Sequence, residues 1–216
     1  MRSSNMIRAG FVALGVAGAA LVGTPAGAQE VFFAGSTTGA FNGGALGATA
    51  SFQGLSFRNA TFAGTTSNGF LGIGSDPATP NFNNLGSIAL TANPHIYTGN
   101  TFQLQVTFTA PPGITGGNPA TFQAMLVGSV TSVNNGGVLF DFDNGVRTFT
   151  FNNGTSSGTF TFQVNDVSVN PGKEVAITGQ ILSATQTTVP EPASMTLLAT
   201  GLAGMGGIVR RRRKQG

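Results

Sequence analysis

The stretch "GVLFDFDNGVRTFTFNNG", Gly137 to Gly154, carries two aromatic-rich runs on either side of Asn144-Gly145. Asn-Gly between alternating apolar residues is the strongest short signal for a two-residue type I′ hairpin. Taken literally, the turn pairs Asp143 with Val146, Phe142 with Arg147, Phe140 with Phe149 and Val138 with Phe151. All the aromatic rings then fall on one face, and Asp141 stands opposite Thr148 on the other.

Period-two alternation recurs outward from that stretch. In "NTFQLQVTFT", Phe102, Leu104, Val106 and Phe108 alternate with Gln and Thr, and in "TFTFQV" Phe160, Phe162 and Val164 do the same. Such runs are half-buried strands of antiparallel sheets with one wet face. Asn134 to Gly137 and Asn152 to Gly158 read as further turns, so residues 100–184 form a meander of six strands, with Pro111 to Pro119 as a longer link. Upstream, Val31–Ala34, Ala48–Phe57, Ala60–Phe62 and Ser87–Thr91 read as strands, and 63–86 as a surface loop. The expected body, residues 29–182, is an all-β antiparallel sandwich of about 8–10 strands filled by Phe, Val and Leu. Residues 183–190 read as a Thr-rich tether.

Composition agrees with this reading and narrows the chemistry. Of 216 residues 33 are Gly and 18 Phe, and 8% are charged, about a third of the usual share. Cys is absent, which excludes disulfides, thiolate metal sites and a Cys nucleophile. The formal charge is +3, but Arg2, Arg8, Arg210, Arg211, Arg212, Arg213 and Lys214 lie in the tails. Between Gln29 and Val189, three basic residues face six acidic ones, a body charge of −3. That balance argues against a nucleic-acid partner.

Both ends read as addresses. Arg2 and Arg8, the apolar run Ala9–Val22 and the small residues Ala26 and Ala28 make a secretory signal over 1–28, cleaved after Ala28 by signal peptidase. At the other end, Ala193 to Val209 is uncharged and would reach about 25 Å as a helix, close to a bilayer core of about 30 Å. Arg210 to Lys214 then act as a cytoplasmic stop. The β body is thus flanked by a signal helix and a C-terminal transmembrane helix. Pro190 and Pro192 hold the intervening Glu191 out of a helix and present it in an extended peptide.

Val189-Pro190-Glu191-Pro192, the apolar run 193–209 and the basic tail 210–214 together resemble the PEP-CTERM sorting signal of Gram-negative bacteria, spanning 189–216. The resemblance implies that a membrane-embedded cysteine protease, an exosortase, recognises Pro-Glu-Pro and releases the body, and that the body joins an exopolysaccharide or biofilm matrix. The membrane is then a transient partner. The segment Gly158 to Ile181 is similar to the "choice-of-anchor" β-domains, which imply no particular chemistry.

Candidate catalytic groups are few. His95 is the lone histidine, in "NPHIY", and reads as a solvated loop residue. No G-x-S-x-G elbow accompanies it. Asp141 and Asp143 stand two apart on one strand and are candidates for a carboxylate pair or calcium ligands. The EF-hand spacing fails, however, with Val146 where the loop glycine should be. Asp166 reads as a turn former. Sugar platforms rely on exposed Trp or Tyr; this chain has no Trp and one Tyr, Tyr97, and alternation assigns its Phe to the core. The expectation is a cofactor-free, non-enzymatic surface or matrix protein with a structural or adhesive role. A polysaccharide-binding module is the alternative, and a carboxylate-dependent hydrolase using Asp141 and Asp143 the third reading.

Overall fold

A computed structural model of the chain describes residues 30–74 and 83–188. The expected signal segment with Ala26 and Ala28, and residues 189–216 with the expected transmembrane run and the basic tail, lie outside the described residues. Within them the regular structure is strand alone. In chain order the strands are β1 (Phe32–Phe41), β2 (Thr49–Phe52), β3 (Leu55–Arg58), β4 (Thr61–Thr65), β5 (Leu71–Ile73), β6 (Ser87–Leu90), β7 (His95–Ile96) and β8 (Thr101–Ala110). They continue as β9 (Ile114–Thr115), β10 (Ala120–Ser132), β11 (Asn135–Phe142), β12 (Arg147–Asn152), β13 (Ser156–Val164), β14 (Val167–Val169), β15 (Lys173–Ala176) and β16 (Gly179–Thr188).

The fold is all-β, and every strand pairing is antiparallel. One sheet runs β14-β11-β10-β8-β1-β4, with β7 also on β10; a second runs β5-β16-β13-β12-β9; a third runs β15-β6-β3-β2. The first sheet turns one face to the other two. Phe108 of β8 meets Phe149, Phe160 and Phe162 of the second sheet at 5.1–5.3 Å between ring centres. Phe102 meets Phe57 of the third at 5.3 Å. Phe102, Leu104, Val106 and Phe108 are buried as their alternation requires, as are Phe160, Phe162 and Val164. Each buried Phe contributes about 1.5–3 kcal/mol.

The Asn144-Gly145 hairpin does not form. β11 pairs with β10 and β14, whereas β12 pairs with β13 and β9, so residues 143–146 cross between sheets. Asp141 stands beside Met125, and Thr148 beside Thr161. Asn144 alone takes the left-handed conformation (φ 47°), where a type I′ turn needs two such residues. Hairpin and crossover both bury Phe140, Phe142, Phe149 and Phe151, so the hydrophobic pattern does not separate them. Long-range bonds decide. Asp166 accepts hydrogen bonds from the Phe142 N–H (2.8 Å) and the Asn144 amide (3.2 Å), and the Gln163 amide donates to the Asn144 carbonyl at 3.0 Å.

Other expectations change with it. The meander of six strands is split between sheets, and the described residues hold sixteen strands, many of them short. Ala48–Phe57 is a hairpin, β2–β3, turned at Gln53 (φ 47°) and Gly54 (φ 86°), the left-handed pair that type I′ demands. The loop expected over 63–86 contributes β5 and buries Ile73 and Leu85. Residues 183–188 are no tether: they continue β16 along β13.

Candidate functional site

The C-terminal strand links the body to its address. β16 pairs with β13 from Gly179 opposite Val164 to Thr188 opposite Ser156. Ile181 and Ala184 point into the core, while Ser183, Thr185 and Thr187 are exposed. Their hydroxyls share hydrogen bonds with Thr161 (2.8 Å), Thr159 (3.1 Å) and Ser157 (3.2 Å) on β13. The Thr-rich composition that reads as a tether thus builds a cross-strand ladder. Val189-Pro190-Glu191-Pro192 follows the last rung directly.

The ladder belongs to a wider face. Thr148, Thr161 and Ser183 form one rank across the second sheet, and Thr115, Thr150, Thr159 and Thr185 form the next. Thr115 and Thr150 share a hydrogen bond of 3.0 Å. Ranks in such a sheet repeat every ~6.8 Å along the strands, and neighbours stand ~4.8 Å apart across them. Each hydroxyl offers one donor and two acceptor positions, so the ladder bonds leave capacity for a ligand. These two ranks contain no charged side chain.

A second polar surface covers the outer side of the third sheet. Ser51, Ser56, Ala89 and Glu174 form one rank, and Thr49, Arg58 and Ser87 the next. Together they line an open concavity of about 420 Å³. Its lining holds one cation and one carboxylate, with small hydroxyl side chains between them.

The acidic candidates are dispersed in role. Asp141 is exposed on β11. Asp143 lies beyond the end of that strand, where its carboxylate accepts the Gly145 N–H (3.2 Å) and stands 3.6 Å from the Arg147 guanidinium. That guanidinium in turn lies 4.8 Å above the Phe122 ring. Asp166, which reads as a turn former, anchors the crossover, and only its long-range partners reveal the role. Among the described residues no group of three or more His, Asp or Glu side chains is placed to hold a metal ion.

His95 is not a free loop residue. It pairs with Val130 in β7, and its half-buried ring packs edge-on against Phe52 (5.9 Å) and Tyr97 (4.9 Å). Tyr97 is fully buried and its hydroxyl donates to the Gln53 carbonyl at 2.6 Å; burial raises its phenol pKa. The single tyrosine is therefore not a sugar platform. Among the described residues two phenylalanines, Phe32 and Phe70, are about half exposed (54% and 49%). No helix among the described residues is long and apolar enough to cross a membrane.

Residues 188–214 match the model of the PEP-CTERM protein-sorting motif. The match starts on the last residue of β16. Such a motif implies an exported protein that an exosortase sorts at the membrane. No curated protein and no solved structure matches the chain.

Proposed function

We propose that this chain is a non-enzymatic surface or extracellular-matrix protein, delivered through its sorting signal and acting structurally or adhesively among exopolysaccharides. The observation that carries the reading is the PEP-CTERM match joined without a spacer to a folded β body. Processing at the N-terminus fits the same scheme. Cleavage after Ala28 leaves a chain that enters the fold at once, because Val31 is buried and its N–H donates to the Thr66 hydroxyl at 2.9 Å. The test is intact mass of cell-bound and released protein in a host with a matching exosortase, for the natural chain and Glu191→Ala. Release of a body without Arg210 to Lys214, abolished by the substitution, is expected. Retention of the full basic tail by the natural chain would make it an ordinary membrane anchor and sink the reading.

The hydroxyl face favours a second reading, a polysaccharide-binding module. An uncharged grid of pre-ordered donors and acceptors suits a neutral, extended, hydroxyl-rich polymer better than an ionic ligand. Thr150→Val with Thr159→Val keeps shape and removes hydroxyls from the centre of the grid. The body should be retained on matrix polysaccharide and the double variant should elute early. Equal retention of the two would dismiss this face as the binding surface.

A further inference from the structure

We propose that the sorting protease takes Thr185–Val189 together with Pro-Glu-Pro, and that these residues reach it by peeling away from β13. The inference rests on the exosortase reading above and adds to it the upstream half of the recognised segment.

The first argument is distance. Thr188 is still paired with Ser156, and Pro190 stands only two residues further on. Two extended residues reach about 7 Å. A protease cleft binds its peptide extended, with backbone and side-chain contacts on several consecutive residues. While β16 is closed, β13 occupies one edge of that peptide up to Thr188, and the Asn153–Ser156 turn stands beside its exit.

The second argument is how weakly this end of the strand is held. Of the β16 side chains described, which run to Thr187, Ile181 and Ala184 are the last in the core. The next inward position is Gln186, and it lies opposite Gly158, which offers no side chain to meet it. Substituting Gly158 is not open to the protein either, since an added Cβ would collide with the Thr185 carbonyl and the Phe151 ring. The other edge of β16 is covered by β5 at Gly179–Ile181 and approached by Gly69 at Ala184. Beyond Ala184 no strand among the described residues pairs with that edge. A terminal segment with hydroxyl pairs and no apolar anchor among its described side chains opens far more readily than the rungs behind it.

Cross-strand locks test this, because a chain without cysteine gives a pair one partner only. In the full chain, Ser157→Cys with Thr187→Cys closes the terminal rungs, where the native hydroxyls are 3.2 Å apart. Thr161→Cys with Ser183→Cys closes a rung behind Ala184, at 2.8 Å. With exosortase present, the outer lock should slow tail release at least tenfold. Reductant should restore it, as should four Gly/Ser residues inserted between Thr188 and Val189 of the locked chain. The inner lock should leave release within twofold of the natural chain. Release from the oxidised outer lock at the natural rate would overturn the proposal, since the motif would then be read on a closed sheet. Failure of the unlocked chain to release its tail would sink the sorting reading, and this inference with it. Amide hydrogen exchange of the full chain in detergent supplies a check without variants. The 185–188 amides should exchange at least a hundredfold faster than 180–182, and equal protection would also overturn the proposal.

Discussion

Tyr97 shows how one residue changes meaning once its surroundings are known. In "NPHIY" it is the chain's only tyrosine and the natural place to look for a sugar contact. Its ring is instead enclosed, and its hydroxyl clamps the tip of the β2–β3 turn through the Gln53 carbonyl. Burial disfavours the phenolate, so its pKa lies above the ordinary phenol value. The folded state then holds a proton that the unfolded chain has begun to release. Its contribution is complete below the unfolded phenol pKa of about 10 and is lost as pH rises through the folded pKa. Tyr97→Phe should cost about 1 kcal/mol at neutral pH and flatten the alkaline loss. Urea midpoints of both proteins at pH 8 and pH 11 check this; the same alkaline loss in both would clear Tyr97 of the effect. Asp166 is the opposite case. Nothing in "VNDVSV" distinguishes it from a turn residue, because its partners, Phe142 and Asn144, are more than twenty residues away in sequence.

At the scale of elements, local pattern identified faces better than partners. Alternation named the buried side of β8 and of β13 correctly. It misassigned the hairpin at Asn144-Gly145 and merged β2 with β3, whose turn is the less conspicuous Gln53-Gly54. A strand's inward residues are set by its own period of two, whereas its neighbours depend on which edges remain free. β16 is the element with the largest consequence. A Thr-rich run of polar residues has the composition of a linker, and only the matching Ser and Thr residues on β13 make it a strand. Truncation distinguishes the two descriptions. An exported body ending at Thr188 should keep the stability it has with the tail attached. One ending at Leu182 loses Ala184 and the outer ladder, and should be about 1–3 kcal/mol less stable by urea denaturation. Equal midpoints would return 183–188 to the status of a tether.

For the molecule as a whole, charge and hydrophobicity are divided between body and appendages. The full chain is formally +3 and the segment between Gln29 and Val189 −3. Released body should therefore bind an anion exchanger at pH 7 while the unprocessed chain binds a cation exchanger; an unchanged elution position would mean the basic tail had stayed on. The sorting motif was legible in sequence because such an address is read as a short linear peptide, and the family match at 188–214 concerns the same residues. The all-β class and the inward faces were legible too, since alternation expresses a local backbone geometry. Strand pairing, the crossover at 143–146, the burial of Tyr97 and the hydroxyl face belong to tertiary structure. Phe-rich faces are interchangeable to a local rule, and only simultaneous packing of three sheets, with every buried polar side chain among the described residues hydrogen-bonded, selects one arrangement.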